Sequence, residues 1–132
     1  MIEVSAGIVI SHGKILCTQR GEAKYPYLSY KYEFPGGKSE PGESSLQALV
    51  REFKEELEAI VNESETTFFC DTIYNYPDFS VKLHSFVIED DHFSFSLTEH
   101  VSYKWLDVGQ LDDVDWAEAD KEIVVALKEY LK

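Results

Sequence analysis

The chain has 132 residues, 44% hydrophobic and 14% aromatic, which suits one domain around one core and is too apolar for a disordered segment. Twelve Lys and Arg against 25 Asp and Glu leave a formal charge of −13, which opposes binding to a nucleic-acid polymer, because that binding needs clustered basic side chains against the phosphates. No apolar run is long enough to span a membrane, and Met-Ile-Glu-Val lacks the basic start of a signal peptide, so a cytoplasmic protein without membrane contact is expected.

Residues 2–10 and 14–19 read as two strands around a Ser-His-Gly turn. A tyrosine-rich stretch from Tyr25 to Tyr32 leads to a short strand ending at Phe34. Pro35-Gly36-Gly37 and Pro41-Gly42 then punctuate a loop. Ser44 with Gln47 three residues on forms a capping-box pattern, so a helix starts there. Leu46, Leu49, Val50, Phe53, Leu57 and Ile60 make its apolar stripe. Residues 66–76 and 79–88 read as strands joined at Pro77-Asp78, residues 92–97 (His-Phe-Ser-Phe-Ser-Leu) alternate as a further strand, and a short one surrounds Tyr103 to Leu106. Trp116 to Leu131 is a second amphipathic helix with Ile123, Val124, Leu127 and Leu131 inward. Strands interspersed with two helices define an α/β layered domain over residues 1–132. Cys17 and Cys70 do not make a disulfide framework, and the four histidines lack zinc-ligand spacing.

The first helix carries the chemistry. Glu52, Glu55 and Glu56 lie off its apolar stripe at spacings that put them on one face. Unpaired, three carboxylates would repel one another. A hard divalent cation removes that cost and prefers oxygen ligands, and metal held in this way serves phosphate chemistry.

Written as Gly37-x5-Glu43-x7-Arg51-Glu52-Phe53-x-Glu55-Glu56, this stretch resembles the Nudix box, and Glu33-Phe34-Pro35-Gly36-Gly37-Lys38 ahead of it extends the likeness. The resemblance reaches, thinly outside the box, to the MutT-like branch that hydrolyses nucleoside triphosphates. It implies a Nudix-type α/β/α sandwich with a mixed β-sheet, a monomer or homodimer, and release of pyrophosphate from a nucleoside triphosphate with Mg²⁺, or Mn²⁺ in its place. By the same resemblance, the Gly36 carbonyl, Glu52 and Glu56 are metal ligands, and Glu55 is a ligand or orients a bound water. Glu43 supports the loop or binds metal through water. Arg51 ties the helix to its loop, and Lys38 reaches a phosphate. Glu99, six residues before Trp105, matches a loop carboxylate that completes the metal site or takes the proton of the attacking water.

On the substrate side, Asp120 stands fifteen residues after Trp105, where MutT-like enzymes place a base-reading Asn or Asp. An ionised carboxylate only accepts hydrogen bonds, which favours guanine or cytosine over thymine. Phe34 is the expected stacking wall, with Tyr76 and the tyrosines at 25, 27, 30 and 32 as further candidates; base stacking contributes roughly 1–3 kcal/mol. Arg20 matches a phosphate- or base-contacting arginine. Asp78 follows Pro77 as in the family, but Phe79 occupies a place where arginine can occur, which argues against strict 8-oxoguanine specificity. Cytosine nucleotides and oxidised guanine nucleotides are therefore the expected substrates. Hydrolysis of a nucleotide sugar or dinucleotide, and a non-catalytic nucleotide-binding module, are the alternatives. Glu58-Ala59 replaces the usual glycine-aliphatic pair, so the helix is expected to run on toward Asn62.

Overall fold

The computed structural model describes residues 1–132. Strands β1 (Ile2–Ser11), β2 (Lys14–Gln19), β3 (Tyr32–Glu33), β4 (Gly36–Lys38), β5 (Thr66–Asn75), β6 (Ser80–Glu89) and β7 (Ser102–Leu106) form one sheet, with helices α1 (Ser45–Leu57) and α2 (Glu118–Tyr130) on its two faces. The order is β3-β2-β1-β6-β5, with β4 added to β1 and β7 to β2. β1 runs parallel to β6, from Ile2 opposite Val81 to Ile10 opposite Glu89, and the other pairings are antiparallel. The sheet is therefore mixed, as expected.

Alternation along the strands sorts side chains between the two layers. Ile8, Ile15, Cys17, Leu83 and Val87 face α2, where they join Leu111, Ile123, Val124 and Leu127. Val9, Leu16, Phe86 and Ile88 face α1, against Leu49, Phe53 and Leu57. β1 and β2 are apolar on both sides because both of their faces are covered. No helix is long and apolar enough to cross a membrane.

Several expected boundaries differ. The segment around Gly36 is not a free loop but strand β4, paired with Val4–Ala6 of β1. Only glycine fits at 36, since a Cβ there would lie 1.8 Å from the Ser5 carbonyl oxygen. α1 starts with the expected capping box: Ser44 Oγ accepts from the Gln47 N–H at 3.1 Å, and Gln47 Oε1 accepts from the Ser44 N–H at 2.9 Å. It ends at Leu57, not near Asn62, because Glu58 itself takes the left-handed conformation (φ 49°, ψ 36°) usually left to glycine. Ile60 consequently lies outside the helix, 86% exposed. α2 begins two residues after Trp116, which instead bridges to Tyr32.

Residues 92–97 are not a strand. Their alternation is real, but Phe93, Phe95 and Leu97 pack onto the α1 core, and the backbone amide of Ser96 donates to the Leu57 carbonyl at 2.7 Å. The segment is a strap laid across the end of α1.

Candidate active site

The carboxylate face of α1 opens on a cleft of about 840 Å³ that runs from the box helix to the start of α2. Glu33, Glu52, Glu55, Glu56 and Glu99 line it, as do Gly36, Gly37 and Lys38. Val4, Leu28, Val81, Leu83 and Ala117 add apolar lining, and Tyr25, Tyr76, Phe79 and Asp120 also face the cleft, with Asp120 near enough to Glu33 to feel its charge. Arg20 also faces the cleft, 3.4 Å from Glu33 Oε1. A smaller hollow of about 450 Å³ lies at the loop 38–43; it shares Ile2 and Lys38 with the cleft and takes Glu40 and Glu43 instead.

Two expected substrate residues lie elsewhere. Phe34 is 3% exposed and packs on Trp116 with ring centroids 4.6 Å apart. It is a core residue, so any aromatic wall belongs to Tyr25, Tyr76 and Phe79. Asp78 is absent from the cleft lining and accepts a hydrogen bond from the Tyr27 hydroxyl at 2.8 Å.

Arg51 organises the box. Its Nε and Nη2 donate to both Glu43 oxygens at 2.7 and 3.0 Å, a bidentate fork. Nη1 reaches Glu52 at 2.8 Å and Glu55 at 3.2 Å, and Nη2 also donates to the Lys38 carbonyl at 2.8 Å. The guanidinium holds the Glu43 carboxyl below its usual range, helped by the Glu40 N–H. Gly37 makes room for this arrangement, since a Cβ there would sit 2.4 Å from the Glu52 carboxylate.

Glu56 is the opposite case. Burial pushes its carboxyl well above the ordinary range, and the nearby charges of Glu52, Glu33 and Glu99 push it further. Its Oε2 is buried without a hydrogen-bond partner. Glu99, distant in sequence, is thus close enough to Glu56 to act on it electrostatically.

The fit to a cation follows from these facts. No three acidic or histidine side chains are already gathered around one point, and Arg51 pairs with Glu52 and Glu55. The donors are nonetheless all oxygens, the set a hard divalent ion selects. One of them is orphaned and buried, and the mutual repulsion at Glu56 is the kind that a cation relieves. The residues fit a hard divalent cation.

Asp120 is 6% exposed, and its Oδ2 accepts from the Phe34 N–H at 3.0 Å. Burial, with Glu33 adding repulsion, raises its carboxyl well above the usual value. The shift favours the neutral form relative to a free aspartate, where the sequence suggested an ionised acceptor. Neutral, it has one O–H to donate.

Three features carried no usable sequence signal. His100 Nε2 donates to Glu33 Oε2 at 3.0 Å from a side chain only 4% exposed, and its Nδ1 is unpartnered. The Tyr76 hydroxyl accepts from the Ala119 N–H at 3.0 Å, standing in for the side-chain cap that α2 lacks. Thr98 binds the end of α1, through its N–H to the Glu56 carbonyl at 3.0 Å and through its hydroxyl to the carbonyls of Glu55 and Glu56. Glu33 alone had a hint, its place directly before the glycine turn.

A mixed sheet between two helices carries a cleft lined by carboxylates from the last turns of α1 and by the start of α2. The NUDIX domain family matches residues 1–127, and the chain belongs to that family. It is 39% identical over 108 residues to the CTP pyrophosphohydrolase of Escherichia coli strain K12, covering 80% of this chain and 75% of that protein. It is 28% identical over 128 residues to the 8-oxo-dGTP diphosphatase of the same strain, covering 96% of each. The solution structure of the E. coli ORF135 protein superposes with a TM-score of 0.83 at 32% identity, covering 98% of this chain and 89% of that one.

Proposed function

We propose that the protein is a Mg²⁺-dependent pyrophosphohydrolase of nucleoside triphosphates, acting on cytosine or oxidised guanine nucleotides to give the monophosphate and pyrophosphate. The observation that carries this reading is one cleft lined by the box carboxylates and by Asp120 together. The same cleft has apolar and aromatic lining suited to a base and sugar. The similarity to a CTP pyrophosphohydrolase and an 8-oxo-dGTP diphosphatase points the same way.

Glu52, Glu56, Glu99 and the Gly36 carbonyl would hold the metal, with Glu55 as a further ligand or an orienting group. Mg²⁺ bound there supplies charge neutralisation for the triphosphate and acidifies its bound water. The chain's own part is positioning and proton transfer. Lys38 and Arg20 meet phosphate oxygens, and Glu99 or Glu55 accepts the proton of the attacking water. Arg51 keeps the box helix in register with the glycine turn. Tyr25, Tyr76 and Phe79 wall the base, and the neutral Asp120 carboxyl donates to a ring acceptor while accepting from the neighbouring N–H. Cytosine presents such a pair at N3 and N4–H, and 8-oxoguanine at O6 and N7–H.

The test is product analysis after incubation with Mg²⁺ and a panel of (d)NTPs, 8-oxo-dGTP and ADP-ribose. Monophosphate plus pyrophosphate from a cytosine or 8-oxoguanine nucleotide is expected. Turnover confined to ADP-ribose would overturn the substrate class, and no turnover on any member would overturn catalysis.

A further inference from the structure

The last carbonyls of an α-helix have no partner within the helix. At the end of α1 these belong to Glu55, Glu56 and Leu57, two of which carry box carboxylates on their side chains. Their donors come from the strap, about forty residues further along the chain. Ser96 N–H serves Leu57 at 2.7 Å. Thr98 gives both of its donors to Glu56: its N–H at 3.0 Å and its hydroxyl at 2.8 Å, the hydroxyl being shared with the Glu55 carbonyl at 3.0 Å. The next residue is Glu99.

We propose that Thr98 is a positioning residue, clamping the strap to the last turn of α1 so that Glu99 is held opposite Glu56 for shared cation binding. The inference rests on the reading of Glu56 and Glu99 as ligands. Phe93, Phe95 and Leu97 also hold the strap against α1, but apolar contact is non-directional and does not set register. The hydrogen bonds of Thr98 do. Repulsion among Glu33, Glu52, Glu56 and Glu99 works against bringing Glu99 in, so a fixed anchor one residue away is needed. Consecutive Cα atoms are about 3.8 Å apart, which leaves the Glu99 backbone little freedom once Thr98 is bound.

The experiment is calorimetric titration of the full chain with Mn²⁺ alone, comparing the unmodified protein with Thr98→Val, Thr98→Ser, Glu99→Gln and the Thr98→Val/Glu99→Gln double variant. Thr98→Val should weaken Mn²⁺ binding roughly tenfold, the scale of lost support around a metal ligand. Thr98→Ser should restore it, and Thr98→Val should add nothing once Glu99 is Gln. Unchanged affinity in Thr98→Val, or an equal loss in both backgrounds, overturns the proposal. Hydrogen exchange on the unmodified chain gives a check that needs no variant: the Thr98 amide should be protected, and exchange as fast as in a free loop also overturns the clamp. This readout is separate from turnover. If no nucleotide is hydrolysed while the Mn²⁺ coupling persists, the functional reading fails and the clamp stands.

Discussion

Glu56 stands where stability and catalysis pull in opposite directions. Its buried, unpartnered oxygen and raised carboxyl cost the metal-free fold. Glu56→Gln should therefore melt a few °C higher than the parent in EDTA, while turnover with Mg²⁺ falls by at least about a hundredfold. A variant that is both fully active and no more stable would remove Glu56 from the metal site. Asp120 gives a pH signature. Its folded pKa lies above the unfolded value of about 4, so its contribution to stability is complete below pH ~4 and is lost as pH rises through the folded value. Asp120→Asn keeps an acceptor for the Phe34 N–H without the ionisable proton. Thermal melts should show this variant more stable than the parent at pH 7–8, with the difference shrinking toward pH 4; a constant offset would contradict the burial argument. Arg51→Lys keeps the charge but loses the fork on Glu43. A drop in turnover on the order of tenfold is expected, and full activity would show that the fork is dispensable.

Element ends are where the structure departs most from sequence expectation, and each departure has a local cause. α1 stops at a glutamate in a left-handed conformation and the strap satisfies its last carbonyls, so the missing glycine does not prolong the helix. Glu58→Gly should relieve that conformation and raise stability by about 0.5–1 kcal/mol in denaturant titration; a loss would mean that the Glu58 side chain matters in its own right. The Phe-Ser-Phe pattern at 93–95 was legible as amphipathic. Its period could not tell a strand partner from a helix surface. At α2, Ala117 offers no side-chain cap and Tyr76, from across the fold, fills the gap. The box helix needed no such help: Ser44 and Gln47 are three residues apart, and local spacing is what a sequence displays directly. The same contrast separates Glu52, Glu55 and Glu56, readable from helical periodicity, from Thr98 and His100, whose partners are 42 and 67 residues away. Phe34 was misjudged for a related reason, since its adjacency to the glycine turn does not reveal that Trp116 covers it.

At the scale of the molecule, a formal charge of −13 on 132 residues sets a background of self-repulsion. Raising ionic strength from 0.01 M to 0.15 M shortens the screening length from about 30 Å to about 8 Å. Calorimetric melting of the metal-free protein should therefore shift upward across that range. An unchanged midpoint would mean that pairs such as those around Arg51 already neutralise the charges that matter. The layered architecture was readable from the alternation of strands and amphipathic helices. The pairing order was not, because β1 is apolar on both faces and its pattern is equally compatible with several neighbours.

That pairing order bears on how the chain is made. β1 lies at the centre of the sheet, yet its parallel partner is β6, whose last residue is Glu89. During synthesis the first ten residues therefore leave the ribosome well before the strand that completes their environment. Contacts so remote along the chain make for slow closure, and an early, doubly apolar strand is left with only the β2 hairpin to cover it in the meantime, the kind of exposed edge that invites association with other chains.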